Sequence, residues 1–103
     1  MTLVLDENNF EETIKEGITL VDFWAEWCGP CQTMLLILDQ FAEKMWEKIK
    51  VGKINVDESK ELAQRFRVMS IPTLIVFKDW EPVEVLIWVQ DMSTLEEVCG
   101  KYL

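Results

Sequence analysis

The sequence predicts an α/β fold built on one central mixed sheet with helices on both faces, and three observations lead there. Apolar runs of strand character alternate with segments of helical period through most of the chain. The last two strand-like runs follow one another with no helix between them. A length of 103 residues supplies one compact core and leaves nothing for a second, so residues 1–103 are expected to form a single domain. Strands separated by helices imply right-handed parallel crossovers, and the adjacent pair implies an antiparallel edge hairpin.

With four glycines and three prolines the chain has little punctuation, and its elements are found by period. Leu3 to Leu5 reads as a short first strand. Asp6 or Asn8 then caps a helix through about Glu16, with Phe10 and Ile14 four apart on one face and Gly17 at its end. Ile18-Thr19-Leu20-Val21-Asp22-Phe23-Trp24 is almost wholly apolar, β-branched or aromatic, the signature of a strand buried on both faces. From about Pro30 to Lys48 the period turns helical: Met34, Leu35, Leu38, Phe41, Ala42 and Met45 form the stripe, and Asp39, Glu43, Lys44 and Glu47 the wet side. Ile49 to Val56 is a second central strand ending at Asp57, and Ser59 caps a short helix through Phe66. Thr73 to Phe77 and Val83 to Trp88 pair as a hairpin across Lys78 to Pro82. Ser93-Thr94-Leu95-Glu96 matches a capping box and opens the last helix, with Leu95, Val98, Cys99 and Tyr102 on one side.

Charge and composition exclude several function classes. Ten Lys+Arg against nineteen Asp+Glu give −9, without the basic face that nucleic acid requires. The absence of histidine removes Ser-His-Asp and Cys-His catalysis and imidazole metal sites together. No apolar run approaches the ~18 residues of a spanning helix, and Met1 to Glu7 lacks the basic region of a signal peptide. The expectation is a soluble, cytoplasmic protein, with no nucleic-acid or membrane partner.

Of three cysteines, two stand as Cys28-Gly29-Pro30-Cys31 at the corner between the buried strand and the long helix. A bond closing so small a ring barely restricts the unfolded chain, so its value lies in being made and broken. Cys28 falls at the helix N-terminus, where free N–H groups and the positive end of the dipole favour a thiolate. Cys31, one turn inside, is placed to attack a mixed disulfide formed at Cys28. Pro30 in the first turn forfeits no needed hydrogen bond and stiffens the link. Two readings compete with this one. Zinc wants four ligands, and Cys99 is the only other cysteine, so no metal is expected; two ordinary structural cysteines would not call for Gly-Pro at such a corner.

Trp24-Ala25-Glu26-Trp27-Cys28-Gly29-Pro30-Cys31 resembles the active-site motif of the thioredoxin family. The resemblance extends along the chain through Val21-Asp22-Phe23, Lys53-Ile54-Asn55-Val56-Asp57, Met69-Ser70-Ile71-Pro72-Thr73 and Val76-Phe77-Lys78. It implies a thioredoxin-like three-layer fold and reduction of protein disulfides through a Cys28/Cys31 cycle. Asp22 would handle the proton exchanged with Cys31, its pKa raised by burial, and Lys53 on the neighbouring strand would pair with it. Ile71-Pro72 matches the family's cis-proline corner, which faces the cysteines and offers the Ile71 backbone to an extended substrate. Trp27, Gly29, Pro30, Ile71, Pro72 and Trp88 would line the substrate surface. No bound cofactor is implied beyond the redox-active Cys28–Cys31 disulfide. The implied partners are disulfide-containing proteins and, as electron donor, a flavoprotein thioredoxin reductase; a monomer is expected. Cys99 is expected to be a small core residue.

The pattern also departs from the family. Glu47, Arg67, Trp80 and Trp88 stand where glycine is usual, and Leu36 and Lys60 where proline is. Leu36 should straighten a helix that proline kinks, and Asp79-Trp80 is poor chemistry for a tight turn, so the hairpin is expected to widen toward Pro82. Trp88 either adds bulk beside Cys28, weakening or redirecting disulfide reduction, or turns inward and packs. The competing function is a binding module, or a diverged or engineered variant in which turnover is incidental.

Overall fold

The computed structural model describes residues 2–103. Its elements are β1 (Leu3–Val4), α1 (Phe10–Ile14), β2 (Ile18–Trp24), α2 (Gly29–Met45), β3 (Ile49–Asn55), α3 (Lys60–Arg65), β4 (Thr73–Lys78), β5 (Glu81–Ile87) and α4 (Met92–Gly100). The five strands form one sheet in the order β1-β3-β2-β4-β5. The pairs β1/β3 and β2/β3 are parallel, and β2/β4 and β4/β5 are antiparallel.

The mixed α/β sheet is the expected one, but its antiparallel part begins at β2/β4, a strand earlier than the hairpin. Helix length explains this. Six residues of α3 span about 9 Å, well short of the ~23 Å of a seven-residue strand. The helix does not carry the chain back along β3, so the chain re-enters the sheet at the end it left.

Side chains on successive strand residues point to opposite faces, and each face builds its own core. Ile18, Leu20, Val51, Leu74 and Val76 pack with Met34, Leu38 and Phe41 of α2 and Leu95 of α4. Val21, Phe23, Ile54, Ile75 and Phe77 pack on the other face with Phe10 and Ile14 of α1 and Leu62 of α3. There Phe66 stacks within 5.2 to 6.2 Å of Phe77, Phe10 and Phe23. Leu5 passes so close over Gly52 that a Cβ there would lie 2.8 Å from its Cγ. Glycine at 52 is what lets the N-terminal segment lie down on β3.

Several boundaries differ from expectation for local reasons. The last helix is capped by Asp91, whose Oδ1 accepts the Thr94 N–H at 2.9 Å and the Ser93 hydroxyl at 3.1 Å; Ser93 lies inside the helix. Ser59 stands at the N-cap of α3, but its side chain makes no capping bond. The Asn55 Oδ1 instead accepts the Asp57 N–H at 2.9 Å and the Glu58 N–H at 3.3 Å. Helix α2 runs unbroken through Leu36 and stops at Met45, three residues before Lys48.

The turn of the β4/β5 hairpin stays tight, and the irregularity falls just beyond it: Phe77 pairs with Pro82 but Val76 with Glu84, which leaves Val83 without a partner on β4. Lys78 pairs with Glu81, and the two residues between them, Asp79 at φ 46° and Trp80 at φ 80°, both take the left-handed conformation a tight turn of this hand needs. Bonds to the α1–β2 corner hold them there. The Asp79 carboxylate accepts the Gly17 N–H at 2.7 Å, the Asp79 N–H donates to the Gly17 carbonyl at 3.0 Å, and the Trp80 N–H donates to the Ile14 carbonyl at 2.9 Å. Tertiary hydrogen bonding thus overrides the weak turn preference of Trp80.

Candidate redox site

β2 ends at Trp24, and the Val56 N–H bonds its carbonyl at 2.9 Å, holding the strand end beside the end of β3. A turn follows in which the Cys28 N–H reaches the Ala25 carbonyl at 3.3 Å, and α2 begins at Gly29 with Pro30 in its first turn. Cys28 is the N-cap, and its Sγ accepts the Cys31 N–H at 3.2 Å. Cys28 and Cys31 form a disulfide with their Cα atoms 5.2 Å apart. Cys28 is 4% exposed and Cys31 fully buried.

The peptide bond Ile71–Pro72 is cis, and the Ile71 carbonyl oxygen lies 3.8 Å from the Cys28 Sγ. Trp27 is exposed beside the cysteines, its indole N–H donating to Asp57 Oδ2 at 2.9 Å. A shallow groove of about 350 Å³ runs between Trp27, Val56, Val68, Met69, Ser70 and Ile71.

Asp22 is fully buried, and neither carboxylate oxygen has a hydrogen-bond partner. It alternates with Val21 and Phe23, so it points to the face roofed by α2, the helix that carries Cys31. Burial pushes its carboxyl up from 3.8 to about 7, against a smaller downward pull from the Lys53 ammonium. Lys53 is its register neighbour on β3, yet the two form no ion pair. The Lys53 Nζ instead sits 5.5 Å from the centroid of the Trp24 ring, where the aromatic face attracts it. The expected pairing of Asp22 with Lys53 is therefore replaced by action at a distance.

Trp88 follows β5 at φ 83°, and its N–H donates to the Pro72 carbonyl at 2.9 Å. Trp88 is 54% exposed, so of the two readings it stands outward at the cis-proline corner and does not turn into the core. The Gln90 side-chain amide donates to the carbonyls of Ile87 at 3.0 Å and Trp88 at 3.2 Å, bracing this left-handed bend. Cys99 is buried on α4 away from the disulfide, its thiol pushed up to about 12 by burial and by Glu84. Asp57 and Met69 border the site without having been singled out in the sequence. Asp57 and Met69 lie inside matched blocks, but nothing local signals their contacts.

Among the described residues no three His, Cys, Asp or Glu side chains are grouped to hold a metal ion, and no helix is long and apolar enough to cross a membrane. A disulfide spanning one turn at a helix N-terminus, with an unpartnered carboxyl in the core of a mixed sheet, defines the class: a thiol–disulfide oxidoreductase. Comparison with known proteins narrows it. The family model described as Thioredoxin matches residues 1–100. The thioredoxin of Staphylococcus haemolyticus is 47% identical over 97 residues, 94% of this chain and 93% of that protein. The thioredoxin of Listeria monocytogenes is 42% identical over 103 residues, the whole of both chains. The structure of a mutant thioredoxin from Halobacterium salinarum superposes with a TM-score of 0.92 at 33% identity, over 98% of this chain and 89% of that one. This chain belongs to the thioredoxin family.

Proposed function

We propose that Cys28 is the nucleophile and Cys31 the resolving thiol in the reduction of protein disulfides. The Cys28 thiolate attacks one sulfur of the substrate disulfide, breaking that bond, releasing one substrate thiol and forming a mixed disulfide. Cys31 then gives up its proton and attacks the Cys28 sulfur. The second substrate thiol leaves, and two electrons have passed from the dithiol to the substrate. Asp22 accepts the Cys31 proton: a carboxyl titrating near 7 exchanges protons at neutral pH, and the absence of histidine leaves it the natural candidate. Lys53 tunes Asp22 by its charge. Trp27, Gly29, Pro30, Ile71, Pro72 and Trp88 form the surface on which the substrate chain lies. A flavoprotein thioredoxin reductase returns the electrons. The working form is a cytoplasmic, single-domain monomer.

The observation that carries this reading is the Cys31 N–H bonded to the Cys28 sulfur at the N-cap of α2. That donor and the helix dipole stabilise negative charge on Cys28 and not on Cys31. The test is a pair of variants assayed with a generic protein disulfide and a thioredoxin reductase. Cys28→Ser should abolish turnover without forming any adduct, and Cys31→Ser should accumulate a mixed disulfide at Cys28. Turnover retained in Cys28→Ser, or adducts forming at Cys31, would reverse the assignment.

A further inference from the structure

β5 is the last strand of the sheet, so no strand pairs with one of its edges; its Val83 carbonyl accepts the Tyr102 hydroxyl at 3.4 Å and its Ile87 carbonyl the Gln90 amide at 3.0 Å. The two halves of that edge differ. The far half carries Glu81 and Pro82, a charge and a residue without an N–H, the features that discourage strand addition. The half next to the disulfide carries none. There Val85 is 58% exposed, Ile87 61% and Trp88 54%.

These residues continue from the redox site without a break. Cys28 Sγ lies 3.8 Å from the Ile71 carbonyl, Pro72 follows in sequence, and its carbonyl holds the Trp88 N–H at 2.9 Å. Ile87 is opposite Thr73 and Val85 opposite Ile75, so the two project from one face about 7 Å apart. Leu86 and Val83 pack against the α2/α4 core, whereas Val85 and Ile87 stay in water beyond the helices of the opposite face. Residue 88 keeps a tryptophan at a positive φ that glycine would occupy without strain, braced by Gln90. Exposed apolar side chains and a strained aromatic, collected along one open strand edge at a reactive disulfide, are the makings of a strand-docking ridge.

We propose that Trp88, Ile87 and Val85 extend the substrate site along the free edge of β5 and select disulfide-bearing polypeptides whose residues flanking the cysteine are extended, alternating and apolar. The inference rests on the assignment of the disulfide as the reaction centre. The occupant is the substrate chain. A second copy of this protein would bring Glu81 and Pro82 of each molecule into the pairing between two chains of charge −9.

The experiment uses the reduced protein and disulfide-linked peptides carrying alternating valines on the N-terminal or the C-terminal side of the cysteine, each matched to a threonine version. The wild-type protein should reduce at least one valine peptide with kcat/KM about tenfold above its threonine counterpart, the discrimination an apolar contact gives. Val85→Thr/Ile87→Thr, which keeps β-branched residues on the strand, and Trp88→Asn, which tolerates the positive φ, should bring that ratio close to one. Trp46→Thr, at the other end of α2, should leave it unchanged. Equal kcat/KM for valine and threonine peptides in the wild type would overturn the proposal, as would a ratio that survives both edge variants. So would sedimentation showing the edge covered by a second copy at assay concentration. Failure of the Cys28–Cys31 disulfide as the reaction centre is separately visible, since the threonine peptides would then not be reduced at all.

Discussion

Removing the buried charge at Asp22 should stabilise the protein in a pH-dependent way. The carboxyl titrates near 7 in the folded chain against 3.8 when exposed, and each tenfold change in proton affinity is worth 1.36 kcal/mol. Between those two pH values the folded state keeps a proton that the unfolded state has lost, so stability falls as pH rises through the window and levels off above about 7. Full ionisation therefore costs the folded state about 4 kcal/mol by pH 8, and only about 1 to 2 kcal/mol at pH 5. Asp22→Asn keeps the shape and cannot ionise. Relative to the wild type it should gain about 2 to 3 kcal/mol between pH 5 and pH 8. The buried amide adds a constant that does not depend on pH. Urea unfolding of both oxidised proteins at intervals from pH 5 to 8.5 measures the difference, and charges common to the two cancel. A wild-type-to-variant difference that stays flat across this range would refute the argument, because it would mean that Asp22 is already ionised in the folded protein at pH 5 and above.

Three further outcomes are expected. Gly52→Ala should lose about 1 to 3 kcal/mol in urea unfolding, since its Cβ would press on the buried Leu5 side chain that holds β1 in place; an unchanged midpoint would show that Leu5 moves freely. Trp80→Gly should gain about 1 kcal/mol by relieving a left-handed tryptophan that is half exposed, and a lower midpoint would mean that its ring contributes more than its backbone costs. In the native reduced protein at pH 8, iodoacetamide should modify Cys28 quickly and leave Cys99 untouched until unfolding, because Cys99 is buried and its thiol titrates near 12; its labelling at the Cys28 rate would contradict the packed α4 face.

The elements that depend on long patterns were legible in the chain. β2 reads as a strand buried on both faces because each face is covered by helices, and α2 reads as a helix because its stripe repeats over many turns. The cysteine pair was legible because its spacing and its place at a strand-to-helix corner both follow from local order. Boundaries set by single hydrogen bonds were not. Asp91 and Ser93 are equally good caps in sequence, and the fold selects Asp91. The hairpin looked too poor in glycine to be tight, yet bonds from Gly17 and Ile14 fix Asp79 and Trp80 in the left-handed region.

By itself the sequence determined the chemistry on offer: two cysteines one turn apart, a lone acid in an apolar strand, no imidazole, and an acidic surface. These are matters of composition and short-range order. Tertiary structure alone decided how those groups meet. It placed Asp22 under α2 with no partner, drew Lys53 away onto Trp24, and brought the cis-proline corner, 43 residues distant in the chain, to the Cys28 sulfur. It also turned Trp88 outward beside the free edge of β5. Such outcomes depend on which strands lie side by side and which side chains compete for one space, and neither is written in the neighbourhood of any single residue.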